Sequence, residues 1–299
     1  MQGIGLEAGE KRLIPARIGD LGRHDPQLIA QLLPVGGAAQ LEGILGDAEA
    51  ERDTAAGHQP LDAVIVGDVD IETAVASFTR TIAALPARAA AAPSAAARQV
   101  RPPHPSPQPV TFTHEGDPNQ AYAVIGWNTF GGIGERKDRR ALGLAANMLQ
   151  VRLFERLREA EGASYSPSAA STSSKDLPDW GIFYAASELK PGSAPTFFRI
   201  AREIVADLAA RPAAADEFER AKNPILTGIE RRVRTNAYWV GTLEDWVREP
   251  RSIELARTFL QDYQAMTAED VRAAVARHVT DGGDWSMLVV PAKKPVSGQ

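Results

Sequence analysis

Apolar residues recur at helical spacing from Asp138 onward, where Leu142, Ala145, Leu149, Leu153 and Leu157 mark one face of a long amphipathic helix. Before it, Tyr122 to Phe130 (YAVIGWNTF) is a β-branched and aromatic run that predicts a strand, and Gly131, Gly132 and Gly134 predict the turn between the two. Gly162 predicts the helix stop, because glycine takes the left-handed cap conformation that side chains disfavour. Two more strands are expected at roughly Ala163 to Ser173 and Gly181 to Glu188, around a turn at Leu177-Pro178-Asp179. The pattern then becomes helical, over Ala194 to Ala209 and Ala213 to Thr235, interrupted by Arg211-Pro212. Thr267 followed by Asp270 reads as a capping box that opens a helix running to about His278. A closing strand, Trp285 to Val290, ends at Pro291.

Nearer the N-terminus the pattern is sparser. LDAVIVGDVD, from Leu61, predicts a short buried strand closed by Gly67 and Asp68. Asp70 then caps a helix from Ile71 to Leu85, with Val75, Phe78, Ile82 and Leu85 at helical spacing. Phe78 is the first aromatic residue, so residues 1–59 offer a core only aliphatic side chains, in short helical pieces such as Asp25 to Leu33. Clustered alanines and prolines over 88–110 favour extended chain and predict a linker. The expected organisation is therefore a divergent or truncated segment (1–59), the remnant of a first lobe (60–87), the linker (88–110) and a C-terminal lobe (111–299). Strands and helices are segregated rather than alternating, which predicts an α+β fold: two lobes of mainly antiparallel sheet packed with helices, the first incomplete.

Composition narrows the function. With 299 residues, 44% of them hydrophobic, the chain is long enough to bury a substantial core. A net charge of -5 gives no basic footprint for nucleic acid. No window approaches eighteen uninterrupted apolar residues, and Glu7, Glu10, Lys11 and Arg12 stand where a signal peptide needs an apolar block. The expectation is no membrane span and no export signal in this chain, with the compartment open and a periplasmic parent compatible. Zero cysteines remove disulfides, thiolate metal sites and a cysteine nucleophile.

The most specific string is LFERLREAEGASYS, Leu153 to Ser166. Arg158 falls in the last turn of its helix, where the macrodipole alone favours a cation. Tyr165 falls in the following strand, where a core aromatic with a satisfied hydroxyl is the plainer reading. Because the helix ends between them, both side chains can emerge at one rim of the sheet, presenting a forked cation and a neutral phenol. Such donors can grip a peptide carbonyl and steady the oxyanion that forms when water attacks it.

This string, together with VIVGDVD and its helix ending in ALP, the proline-rich linker, and the closing MTAEDVRAAVARHV with SMLVVP, resembles the insulinase/pitrilysin family of zinc metallopeptidases, in its C-terminal non-catalytic half. The resemblance covers roughly Leu61 to Pro291. It implies paired α/β lobes, four of which close as two halves around a proteolytic chamber. It also implies an inverted zinc motif, His-Xaa-Xaa-Glu-His, in the other half, and an Arg/Tyr pair in this one, falling on Arg158 and Tyr165 as substrate-binding residues. By the same resemblance zinc polarises the peptide carbonyl and activates water, and a Glu of the partner half acts as base.

No histidine here fits that motif. His24 is followed three and four residues on by Gln27 and Leu28, His58 by Leu61 and Asp62, His104 by Pro107 and Gln108, His114 by Asp117 and Pro118, and His278 by Asp281 and Gly282. His114-Glu115 also fails the non-inverted order, since Pro118 stands where the second His belongs. All five read as surface or terminal residues, and zinc is expected in a partner half rather than in this chain. Asp68 and Asp70 read as a turn and an N-cap, and the Gly131–Gly134 cluster lacks the Lys-Ser/Thr of a phosphate cradle. Arg231, Arg232 and Arg234 read as a solvated helix face, and Tyr238, Trp239 and Trp246 as core packing.

The expected function is the substrate-binding C-terminal portion of an insulinase-like peptidase, inactive alone and assisting a zinc-bearing partner half, whether encoded in the same gene or as a separate chain. The alternative is a non-catalytic assembly protein of the same fold, like the core subunits of respiratory complexes. The missing complete first lobe reads as a truncated or misframed product of a longer gene, with a strand edge left to pair elsewhere.

Overall fold

The computed structural model describes residues 14–18, 61–81, 102–161, 166–175, 177–279 and 283–292. The predicted helix at Asp25 to Leu33, Ile82, Leu85, Gly162 and Tyr165 lie outside them. Two compact units emerge, one formed by Met1–Ser94 with Arg231–Arg257, the other by Ala95–Glu230 with Thr258–Gln299.

In the first unit, β1 (Ile14–Ile18) pairs antiparallel with β2 (Leu61–Ile65), matching Ile14 to Ile65 and Ile18 to Leu61. The partner strand β1 was not foreseen. Helix α1 (Ile71–Thr81) begins where expected, the Asp70 carboxylate accepting the Thr73 N–H at 2.8 Å. Within its described residues, however, its apolar stripe buries nothing: Val75 is 45% exposed and Phe78 only half-buried. Helical spacing predicts a face; whether that face is covered depends on a second surface. The unit also holds α5 (Asn236–Arg248) and α6 (Ser252–Arg257). There Tyr238, Trp239 and Trp246 are half-buried rather than core, while Leu243 is the buried residue and the Trp239 indole donates to the Val233 carbonyl. Aromatic spacing marked the right helix and the wrong anchor.

The second unit is a five-stranded sheet in the order β3-β7-β4-β6-β5, built from β3 (Val110–His114), β4 (Ala121–Thr129), β5 (Ser168–Ser173), β6 (Gly181–Leu189) and β7 (Asp284–Pro291). All pairings are antiparallel except β3 with β7. Strand β3 was missed, because its five residues follow prolines and none is buried. Along β4, Ala121, Ala123, Ile125 and Trp127 alternate onto the core face, and the two alanines leave room for close approach of a helix.

Helix α2 (Arg136–Glu161) packs over β5 and β6, and Leu142, Ala145, Leu149, Leu153 and Leu157 are all buried on it as predicted. It starts two residues before the expected Asp138, released by a turn in which Gly132 and Glu135 take positive φ of 71° and 49°. The amide N–H groups of Gly131 and Gly132 are spent on the carbonyls of Pro178 and Ser174, so no phosphate cradle exists there. Helices α3 (Ala194–Ala210), α4 (Ala215–Arg232), α7 (Phe259–Ala265) and α8 (Ala268–His278) complete the set, with α3 and α8 packing on α2 through Phe197, Ile204, Val271 and Val275. The capping box is present: Thr267 Oγ1 accepts the Asp270 N–H, and the Asp270 carboxylate accepts the Thr267 N–H. The fold class is α+β, as the segregated elements predicted.

Two buried cations lock the short α7. Arg140, 5% exposed, pairs with Asp262 and donates to the Thr258 carbonyl, with the Phe259 ring 5.2 Å from its guanidinium. Desolvation pulls its pKa below the ordinary arginine value, against the opposing pull of Asp262. Lys222 caps the other end, donating to the carbonyls of Gln264 and Met266 at 2.9 and 3.0 Å. Leu149→Ala should therefore cost about 2–5 kcal/mol in urea unfolding, whereas Thr267→Ala, which deletes one cap, should cost about 1 kcal/mol. Equal costs for the two would show that the α2–sheet interface is not the main source of stability.

Candidate functional site

Two contacts fix where Arg158 lies relative to β5. Arg139, near the start of α2, donates to Ser173 Oγ at the end of β5. Gln150, eleven residues on, accepts the Ala169 N–H at 3.1 Å. The strand thus runs back along the helix. From Gln150 to Arg158 the helix advances about 12 Å, and from Ala169 to Ser166 the strand retreats about 10 Å, so Arg158 and Ser166 reach the same rim. Arg158 is exposed in the last turn of α2; Tyr165 precedes Ser166 in sequence and lies outside the described residues.

The other arginines of α2 are committed to its packing. Arg152 forks onto Glu217 at 2.6 and 2.8 Å and reaches Asp207 at 2.7 Å, and Arg156 pairs with Glu203. Arg158 has no partner among the described residues. It closes an exposed stripe with Val151 (51% exposed) and Phe154 (41%), at the i, i+3 and i+7 positions of one helix face.

A cavity of about 470 Å³ opens at this rim, lined by Ser166 and Ser168 together with Gln120, Tyr122, Glu188 and Lys190. Tyr122 stands directly across the strand pair from Glu188. Its pKa is raised above the ordinary tyrosine value, mainly by desolvation and further by Tyr184 and Glu188, so the phenol keeps its proton as a neutral donor. Gln120 Nε2 donates to Glu188 at 3.2 Å. Sequence reasoning singled out none of these lining residues. Their only trace is the polar alternation at the end of β6, where exposed Glu188 and Lys190 flank buried Leu189.

The metal question turns on Glu135, Asp138 and His278, whose ligand atoms lie within 4.8 Å of one another. The Asp138 carboxylate is already taken, by Arg277 and by His278 Nε2 at 2.6 Å, and a cation there would have to displace a guanidinium. The zinc of a peptidase does not fit this cluster. His278, read as a surface or terminal residue, does end α8, but its ring is half-buried and packs 4.5 Å from Phe130. Arg231, Arg232 and Arg234 are exposed, as predicted. No helix among the described residues is long and apolar enough to cross a membrane.

A family model described as the peptidase M16 inactive domain matches residues 61–225. The chain belongs to that family, the non-catalytic domains of M16 zinc proteases. Solved structures share the fold at low identity. The peptidase M16 inactive domain from Pseudomonas fluorescens is 20% identical with a TM-score of 0.60, over 79% of this chain and 55% of that one. The periplasmic protease PqqL from Escherichia coli is 17% identical with a TM-score of 0.59, over 77% and 25%. A chain of complex III2 from Candida albicans is 15% identical with a TM-score of 0.57, over 75% and 53%. This chain thus spans between a quarter and about half the length of these structures. Among curated proteins, none matches it.

If the Asp138 cluster is an ion-pair junction between α2 and α8, Asp138→Asn should lower stability by roughly 1 kcal/mol, and added Zn²⁺ should leave the melting temperature unchanged. A rise of several degrees with Zn²⁺ would make the cluster a metal site instead.

Proposed function

We propose that this chain is the substrate-gripping, C-terminal portion of an insulinase-like zinc peptidase, acting with a zinc-bearing partner half. The observation that carries the reading is Arg158, exposed in the last turn of α2 with no partner among the described residues, in a chain matched by the M16 inactive-domain model. Arg158 holds the peptide carbonyl and Tyr165 donates to the oxygen as negative charge develops on it. A metal held by the partner half would supply the activated water, while this chain orients the peptide. The α2 face of Val151 and Phe154 supports contact with a further polypeptide segment, since exposed apolar stripes of this kind mark interaction surfaces.

The second reading, an assembly protein of the same fold, draws on that same stripe and on the fold shared with the complex III2 chain. Pull-down from the source cell separates the two: recovery with a zinc-motif half supports the peptidase reading, and recovery in a large complex without one supports scaffolding. In the reconstituted enzyme, Tyr165→Phe should lower turnover about 10- to 100-fold, or roughly 1–3 kcal/mol, with little change in KM. An unchanged rate removes Tyr165 from the site.

A further inference from the structure

We infer that the rim cavity reads an extended peptide through the charge doublet Glu188 and Lys190, and selects a segment carrying a basic and an acidic side chain two residues apart. The inference rests on the peptide-holding reading above and names what kind of peptide is held. Glu188 is the penultimate residue of β6, and Lys190 follows it with backbone still extended, at φ -69° and ψ 143°. Leu189 between them is buried at 4% exposure, so both charged side chains leave the same face. Both are exposed and both line the cavity.

Neither charge is paired among the described residues. No ion pair joins the two, and neither has an oppositely charged partner among the described residues, although Glu188 accepts one hydrogen bond from Gln120. Arg152, Arg156, Arg202 and Arg272, by contrast, are each tied to a carboxylate. The two positions are about 6.6 Å apart along the strand, which is the i, i+2 repeat of any extended chain. A peptide laid along this end of β6, in either direction, therefore sets its own i and i+2 side chains over the doublet. The Tyr122 hydroxyl and the Asn119 side-chain amide, which have no hydrogen-bond partner among the described residues, are left to meet the peptide's main-chain carbonyls.

Selectivity comes from opposition as much as from attraction. A wholly acidic segment gains Lys190 but meets Glu188, and a wholly basic one gains Glu188 but meets Lys190. Only a segment carrying both signs at this spacing gains both pairs.

The test is fluorescence anisotropy on the chain itself, with fluorescein-labelled, unstructured peptides in a Ser/Gly background. The set carries Arg-x-Glu, the wider Arg-x-x-Glu, each single charge, and no charge. Arg-x-Glu should bind about fivefold tighter than the rest at low salt, with the preference shrinking as ionic strength rises. Lys190→Gln should erase the contribution of the peptide's acid alone and Glu188→Gln that of its base alone, as a double-mutant cycle reads directly. Both side chains are exposed, so neither substitution removes packing. Equal affinity for the wider spacing, a preference that survives both substitutions, or no binding by any peptide overturns the inference. Tyr165→Phe is read separately, as turnover in the reconstituted enzyme, so either idea can fail while the other stands.

Discussion

The architecture of the second unit depends on how α2 divides its faces. Helix α2 has 26 residues, is about 39 Å long and lies chiefly over β5 and β6. One face buries Leu142 to Leu157 in the core. Another face of its last turns carries Val151, Phe154 and Arg158 exposed. This division delivers a cation to the rim without asking the core to bury a charge. It also leaves apolar surface beside that cation, which a second polypeptide segment could cover.

Arginine placement follows the same logic. Towards the start of α2, Arg136 and Arg140 converge on Asp262, and Arg139 ties the helix to β5 and to the Gly132 carbonyl. In its middle, Arg152 and Arg156 reach the acidic residues of α3 and α4. Each of these contacts fixes the direction of the helix axis, and a buried cation left without its carboxylate would be costly enough to enforce that direction. Removing the tie is more damaging than making it is stabilising, so such pairs specify geometry more than they add stability. The orientation of the last turn is therefore set along the whole helix, by ion pairs from Arg136, about six turns back, to Arg156 in the adjoining turn.

What could be read from the chain followed from how strongly a pattern constrains its surroundings. The α2 face, β4, β6 and the Thr267–Asp270 box were legible because burial on one side or a local hydrogen-bond pair imposes a period on the residues themselves. Strand β3 was not, since a parallel edge strand with every residue at least partly exposed imposes none. Val75 shows the converse: the period is present but nothing covers it. At the candidate site, Arg158 was legible only through the string in which it sits. The cavity residues come together from the start of β4, the entry to β5 and the end of β6, a juxtaposition created by antiparallel pairing and carried by no local motif.

A domain with no catalytic metal can still govern a reaction, and the energetics say how. Positioning and transition-state hydrogen bonding each act on the barrier without requiring that the reacting water or its base be on the same chain. They do require rigidity, because a donor that must be ordered during the reaction gives back its advantage as entropy. Arg158 sits on a helix anchored along its length, and Ser166 leads into a strand held by β6 on one side and by Gln150 and Arg139 on the other. Both approaches to the rim are thus stiff. The substrate-holding reading calls for a guanidinium at such a place, and Arg158 has no partner there among the described residues, whereas a scaffold has no need of one. That difference, more than the shared fold, favours the peptidase reading.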